Sequence, residues 1–242
     1  MRLPLPPMIG CILGTLACEK KEDEGPIHDY YFEVSYAHYD YLDGARSVAV
    51  VDHVRYVQAK FTESFTANGP SLTLDEGSFI THNGQEVPYT DDFSAYRTQL
   101  GDDAAFQRSH TFEWVNGDVT HVNTFEAETL TIANPPTTIS ASAPPTIEWT
   151  GEPLKEGETV FAIITQRQIT GLPITAQSSV TQEVGANASV TFDANDFLEL
   201  RSGQAFLQMA RIGRGALEET AKLGGSFQYS FRTTAIEVNI EN

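Results

Sequence analysis

Alternation of apolar and polar residues is the feature that most constrains this chain, because a period of two belongs to strands with one buried face. The clearest example is the segment 29–36, whose alternate positions hold Tyr30, Phe32, Val34 and Tyr36. Segments 46–51 and 54–65 continue the pattern with β-branched and aromatic residues, which favour strands. Helical turns are predicted only at 193–200, capped by Asp193, and at 217–223. The sequence therefore predicts an all-β protein.

Two Asn-Gly dipeptides predict hairpin turns, because a type I′ turn places both of its central residues at positive φ. Asn83-Gly84 and Asn116-Gly117 are each predicted to form the two-residue loop of a hairpin. In the second hairpin such a loop pairs Phe112 with His121. The predicted core face of this hairpin consists of Phe106, Phe112, Trp114, Val119 and Phe125.

Two proline-containing stretches, 134–138 and 143–145, divide the patterned body. Because proline cannot donate to a strand ladder, we predict one β-sandwich at 28–134 and a second at 139–242. In the second part, Ile147-Glu148-Trp149-Thr150 resembles the tryptophan-bearing strand of fibronectin type III and other immunoglobulin-like modules. The resemblance implies two consecutive antiparallel immunoglobulin-like β-sandwiches.

The composition restricts the partners of the chain. It has 33 acidic against 15 basic residues and a formal net charge of −18, so it repels a phosphate backbone overall and no nucleic-acid partner is expected. With 40% hydrophobic and 20% charged residues it has the composition of a folded globular protein. Its two cysteines are Cys11 and Cys18, so the segment from residue 19 onward cannot form an internal disulfide.

The first 17 residues have the features of a signal peptide. Arg2 precedes an apolar run of ten residues that ends at Ala17, which is too short to cross a bilayer and suits the apolar region of a signal peptide. Leu16-Ala17-Cys18 resembles the end of a bacterial lipobox, although Thr15 stands where that family usually has leucine. The resemblance implies cleavage before Cys18 and a diacylglycerol on its sulfur. Cys11 is an alternative lipobox cysteine, behind a much shorter apolar run.

Residues 18–27 are predicted to be a tether between this lipidated cysteine and the body. Six of the eight residues at 19–26 are charged and none is large and apolar, a composition that stays in water. The acidic cluster also resembles the signal that sends some Bacteroidota lipoproteins to the cell surface. We expect a protein of the bacterial cell envelope, anchored by its acyl chains at the outer membrane, on either the surface or the periplasmic face.

Histidine, acidic and tyrosine side chains are the candidate ligand-binding groups. The predicted register puts His110 and His121 in diagonal positions on one face, where they could share a metal ion with a third ligand. Calcium could bind the acidic pairs at 91–92 and 102–103 or the stretch 193–196. Tyr31, Tyr39 and Tyr41 fall off the core face of their strand, and exposed tyrosines could bind a sugar or a partner protein.

No cofactor is predicted, and no catalytic motif is present. Gly213-Arg214-Gly215 is predicted to be a loop that lacks the strand-to-helix context of a phosphate-binding turn. The sequence favours a non-enzymatic binding or scaffolding protein of the envelope, with a glycan or protein partner. One alternative is a carbohydrate-binding or adhesive module, which needs an exposed aromatic platform. The other is a metal-dependent hydrolase, which needs His110 and His121 to converge with an acid in a pocket.

Overall fold

The computed structural model of this protein describes residues 30–43, 50–63, 69–140, 142–143, 145–166, 174–181, 188–220 and 223–241. The predicted signal peptide, Cys18 and the tether lie outside these ranges. The described residues fold almost entirely into strands, which confirms the all-β prediction. The strands before residue 127 are β1 Tyr31–Asp43, β2 Val50–Thr62, β3 Ser71–Leu72, β4 Phe79–His82, β5 Gln85–Glu86, β6 Tyr89–Thr90, β7 Ala95–Gln99, β8 Ser109–Asn116 and β9 Val119–Glu126. The strands after it are β10 Thr131–Ala133, β11 Thr138–Ser140, β12 Thr146–Thr150, β13 Glu158–Gln166, β14 Ile174–Thr181, β15 Ser189–Thr191, β16 Gly203–Ala216, β17 Gly225–Arg232 and β18 Ile236–Glu241.

One large sheet of 11 strands runs through the molecule. Its main path is β11-β18-β16-β17-β1-β2-β7-β6, with β13 and β14 joined through β16, and β3 joined to β2. Two smaller sheets cover parts of one face of it, a four-stranded sheet in the order β5-β4-β8-β9 and a three-stranded sheet in the order β10-β12-β15. Each smaller sheet encloses a hydrophobic core against the large sheet, which gives two sandwich-like layers side by side.

The first core lies between the four-stranded sheet and strands β17, β1, β2 and β7. The alternation at the start of β1 is confirmed, because all four predicted apolar residues are buried. The centre is aromatic, and Trp114 of β8 packs within 5.4 Å, centroid to centroid, of both Phe32 and Phe61. The buried members are Tyr30, Phe32, Val34, Tyr36, Val57, Ala59, Phe61, Ile80, Val87, Tyr96, Phe112, Trp114, Phe125, Ala127, Leu217 and Tyr229.

The second core lies between the three-stranded sheet and strands β11, β18, β16 and β13. Trp149 of β12 is buried there, opposite the apolar residues of β13 and β16. Leu130 and Ile132 also pack in this core, although the sequence placed them in the first domain. The chain leaves the three-stranded sheet at β10, passes Pro135-Pro136 and enters the large sheet at β11. At the predicted domain boundary, 134–139, the chain therefore crosses between the two sheets that enclose the second core. Proline ends a strand at such a crossing just as it does at a domain boundary.

Strand β16 connects the two cores. Residues 203–207 pair with β18 beside the second core, and residues 210–216 pair with β17 beside the first. Strand β17 then pairs in parallel with β1, so Leu217 and Tyr229 complete the first core. The rings of Tyr229 and Phe227 lie directly over Gly213 and Gly215. The loop prediction for 213–215 is therefore wrong: glycines in this strand make room for two aromatic rings.

Two buried carboxylates hold the region where the cores meet. Glu158 at the start of β13 pairs with the fully buried Arg211 at 2.5 Å and accepts a hydrogen bond from the Tyr229 hydroxyl. Arg211 also donates to the backbone oxygens of Glu152 at 2.8 Å and of Pro153 at 3.0 Å. Nearby, the Glu128 carboxylate pairs with Arg108 at 2.9 Å and with Lys155 at 2.8 Å. Burial tends to raise the pKa of Glu128, but these two cations lower it overall.

The two predicted hairpins have different outcomes. At the first, both Asn83 and Gly84 have positive φ, and His82 pairs with Gln85, as a type I′ turn requires. At the second, the loop is Gly117-Asp118, and Asn116 pairs with Val119. The register prediction was wrong by two residues because Asn116 remains in the strand, with its buried amide accepting from Ser78 Oγ at 3.1 Å. A shift of two preserves the predicted faces, although Val119 at the tip is exposed.

Helical structure among the described residues is limited to two 3₁₀ turns, Asp91–Phe93 and Ala194–Phe197. The second confirms the turn predicted after Asp193, whose backbone N–H donates to the Asp196 carboxylate at 2.8 Å. The helix predicted at 217–223 is absent over 217–220, where the chain bends after β16 and Leu217 enters the first core. Across the described ranges, no helix has both the length and the apolar composition needed to traverse a bilayer.

Candidate binding surface

His110, predicted as a metal ligand, is fully buried and pairs with His82, 2.9 Å between ring nitrogens. The other ring nitrogen of His110, Nε2, lies 3.0 Å from the carbonyl oxygen of Gln107, which can only accept. Nε2 therefore carries the proton, and Nδ1 accepts from His82 Nε2. This arrangement makes the His110 ring neutral. The pKa of each histidine is lowered to about 4, by burial in both cases and, for His110, also by the neighbouring His82.

His121 lies on the same face of the hairpin but does not meet His110. It is opposite Trp114, whose ring it contacts edge-on with a centroid distance of 4.2 Å, while His110 is opposite Phe125. Four residues of strand separate the two histidines, roughly 13 Å at the usual rise. The described residues contain no group of three or more His, Cys, Asp or Glu side chains placed to hold one metal ion, and this covers the acidic pairs at 91–92 and 102–103.

The large sheet has a second face that neither small sheet covers, and part of it carries an unusual set of charges. We call the outward side chains of β1, β2, β7, β17 and residues 212–216 of β16 the basic face. The charged side chains described on it are four basic and one acidic, namely Lys60, Arg97, Arg214, Arg232 and Glu33. Since the whole chain carries −18, the described side chains of this face have a net charge opposite in sign to that of the protein.

Strand register aligns polar side chains across the basic face in a single row. Arg214 of β16 pairs with Gln228 of β17, and Gln228 pairs with Ser35 of β1. Ser35 pairs with Gln58 of β2, and Gln58 pairs with Arg97 of β7. At a strand spacing of about 4.8 Å, the row spans roughly 19 Å from one arginine to the other. We call these five residues the polar row.

Neighbouring side chains hold the arginines of the basic face in place. The Arg97 guanidinium contacts two rings, 3.8 Å from the centroid of Tyr56 and 3.9 Å from that of Phe93. Arg214 Nε donates to Gln228 Oε1 at 2.9 Å. The guanidinium of Arg232 lies 4.8 Å from the Tyr39 ring centroid. These contacts fix the guanidinium planes and reduce the side-chain entropy that binding would cost.

None of these three arginines has a carboxylate partner among the described residues. The ion pairs found there use Arg108, Lys155 and Arg211 as their cations. The acidic residue of the face, Glu33, has a raised pKa, because burial outweighs the lowering effect of Lys60 and Arg214. Burial likewise raises the pKa of Tyr56. Guanidinium groups thus remain available on this face in a protein with a large excess of acids.

Two of the predicted tyrosines belong to this surface. Tyr31 and Tyr39 are half-buried in β1 with their side chains on the outward face, opposite Thr62 and Val54 of β2. The backbone of Tyr41 continues the same strand, but its side chain lies outside what the structure describes. The Tyr39 ring is engaged by the Arg232 guanidinium.

A small cavity of about 30 Å³ lies beside Tyr30, Asp75 and Asn116, which is room for water but far less than the several hundred Å³ of a typical substrate pocket. The candidate surface is not this cavity but the sheet face that neither small sheet covers. Sequence reasoning missed its arginines, because only the pairing of strands distant in sequence brings Arg97, Arg214 and Arg232 together.

Comparison with known proteins adds no relative. No family model, no curated protein and no solved structure matches this chain.

Proposed function

We propose that this protein is a lipid-anchored component of a bacterial cell envelope with a non-catalytic binding role, and that the basic face of its large sheet binds the partner. The observation that carries the binding role is the set of three arginines, Arg97, Arg214 and Arg232, held in place on a sheet face that neither small sheet covers, with no ion pair to a carboxylate among the residues that the structure describes. A sheet face with a purely structural role in an acidic chain has no need of several arginines outside ion pairs, whereas a binding surface does.

The anchor is proposed from the sequence at 1–27. Cleavage before Cys18 would leave the acyl chains on the first residue of the mature protein and the charged segment 19–26 as a spacer. Several acyl chains on one residue hold a protein at a membrane without a spanning segment. Outer-membrane placement and the membrane face are part of this proposal and rest on the same residues.

The proposed architecture is a pair of immunoglobulin-like sandwiches. Its best support is the second core, where β10-β12-β15 faces β11-β18-β16-β13-β14. In the immunoglobulin-like pattern, one sheet contains the first, second and fifth strands, and the tryptophan-bearing strand is an early one. Here Trp149 lies on β12, the central strand of the smaller sheet. Immunoglobulin-like sandwiches serve many functions, so the fold alone does not assign one.

A fractionation experiment tests the anchor. Wild-type protein and Cys18→Ala are expressed in a bacterial host, and membrane and soluble fractions are analysed by intact mass. We expect wild type to be membrane-bound with a mass that corresponds to cleavage before Cys18 plus acyl chains, and Cys18→Ala to lose both. Unacylated wild-type protein with Met1 in the soluble fraction would refute the anchor.

A retention experiment tests the binding role. Cys18→Ala protein is added to washed envelopes of the same host and sedimented with them. We expect retention that is lost when Arg97, Arg214 and Arg232 are all changed to Gln, and that persists in Arg201→Gln, which removes an exposed arginine outside the basic face. Equal retention of both variants would exclude the basic face as the binding surface.

A further inference from the structure

We infer that the basic face binds an extended anionic polysaccharide whose carboxylate or sulfate groups are bound by its arginines. The inference rests on the proposed binding role and adds the chemical class of the partner. It depends on the spacing of the polar row, on the way the arginines are held and on the engagement of the tyrosine rings of this face by guanidinium groups.

The polar row matches a linear polymer in geometry. Its five side chains lie on adjacent strands at a spacing of about 4.8 Å, which is close to the length of one sugar ring. Gln228, Ser35 and Gln58 in the middle offer neutral donors and acceptors suited to hydroxyl groups. Arg97 and Arg214 at the two ends offer charge. A chain lying across the strands would thus meet hydroxyl-binding groups between two anion-binding groups.

The contacts that hold the Arg97 guanidinium favour carboxylates or sulfates over neutral sugars. The Arg97 guanidinium lies close to the rings of both Tyr56 and Phe93, and its Nη1 donates to Gln58 Oε1 at 3.4 Å, so its remaining N–H groups are the parts left to bind a ligand. Those groups form the fork that pairs with a two-oxygen anion. The rings themselves are occupied by the cation and are therefore poor platforms for stacking a neutral sugar.

A protein partner fits this surface less well. Protein interfaces depend on a few large side chains buried in pockets of the partner. On the basic face the rings of Tyr56 and Tyr39 lie against guanidinium groups, so they are not free to enter a pocket of a protein partner. A flat array of fixed donors suits a repeating polymer, which needs many equivalent contacts and no anchor.

The probe for this inference is polygalacturonate, with its fully methyl-esterified form as the neutral counterpart of the same sugar. The protein is the full chain with Cys18→Ala, and binding is measured by affinity gel electrophoresis and calorimetry. We expect binding to polygalacturonate that weakens as salt rises, with no binding to the methyl ester. Arg97→Gln should weaken binding about fivefold, within the range for one charge-assisted contact at a solvent-exposed site.

Control variants separate the face from general charge. Arg201→Gln removes the same charge from an exposed site elsewhere and should bind as wild type does. Arg97→Lys keeps the charge but loses the planar fork, and should fall between wild type and Arg97→Gln. The thermal unfolding of each variant is measured to confirm that it is folded.

Three outcomes would overturn the inference. Absence of polygalacturonate binding, or equal binding of the methyl ester, would exclude anionic polysaccharide recognition. Unchanged binding after all three arginines become Gln would exclude the basic face. Envelope retention could depend on the three arginines while the protein binds phosphatidylglycerol vesicles or an envelope protein and not the polysaccharide. In that case the proposed binding role stands and the polysaccharide inference fails.

Discussion

Replacement of Arg211 by Met is the sharpest test of how the two cores are joined. The Arg211 side chain is fully buried, pairs with Glu158 at 2.5 Å and donates to three backbone oxygens. Met fills a similar volume but leaves the Glu158 carboxylate buried without a cation. Removing one partner of a buried pair costs about 3 to 5 kcal/mol, so we expect the free energy of unfolding to fall by about 4 kcal/mol.

The assay is urea and thermal unfolding of the purified chain, followed by circular dichroism. For a chain of this size, 1 kcal/mol corresponds to about 2–4 °C in Tm, so Arg211→Met should melt roughly 12 °C below wild type. The matched control is Arg201→Met, at an exposed position, where the change should stay within about 0.5 kcal/mol.

A double-mutant cycle shows whether the loss comes from the pair. Glu158→Gln keeps an acceptor for the Tyr229 hydroxyl but leaves Arg211 without its counter-ion, and should cost about 3 kcal/mol. Since the two changes share one interaction, the double variant should lose about 2 kcal/mol less than the sum of the singles. Strict additivity, or a loss under about 1 kcal/mol for Arg211→Met, would refute the reasoning.

Three further perturbations have defined outcomes. Because burial lowers the pKa of His82 and His110 to about 4, the unfolded chain binds more protons between pH 4 and 6.5. The free energy of unfolding should therefore decrease as the pH is lowered from 6.5 to 4, by about 3 kcal/mol per histidine at pH 4. His110→Gln should make the dependence of this free energy on pH, measured by urea unfolding, less steep. Gly213→Ala places a Cβ 2.1 Å from the Tyr229 ring and should cost about 3 kcal/mol in the same assay, whereas Gly101→Ala, beside a flexible carboxylate, should be near neutral. Tyr229→Phe removes the hydroxyl that donates to Glu158 and should cost about 1.5 kcal/mol; an unchanged Tm would show that this hydrogen bond adds no stability.

Local patterns in the sequence predicted local structure well. The alternation from Tyr30 to Tyr36 identifies the buried face of β1 because successive side chains of a strand point to opposite faces. Asn83-Gly84 predicts its turn because few other residues adopt two successive positive φ values. Asn116-Gly117 gave a wrong register because the Asn116 side chain accepts a hydrogen bond from Ser78 and remains in strand β8. That contact cannot be predicted from the dipeptide.

The pairing of strands that are distant in sequence could not be predicted from these local patterns. Gly213 and Gly215 have the composition of a loop, and only the rings of Phe227 and Tyr229 above them explain a strand. The partner of His110 was predicted to be His121, on the same hairpin, while the real partner, His82, lies on the neighbouring strand β4. The polar row depends on four strand registers at once, so its arginines could not be grouped from sequence.

The parallel pairing of β1 with β17 has a consequence for the order of events during synthesis. The first described strand of the chain needs a partner that is almost the last to be made, and the first core lacks Leu217 and Tyr229 until then. A nascent chain therefore cannot finish its first core ahead of its second. Pairing across nearly the whole length also closes a very large loop, which slows folding.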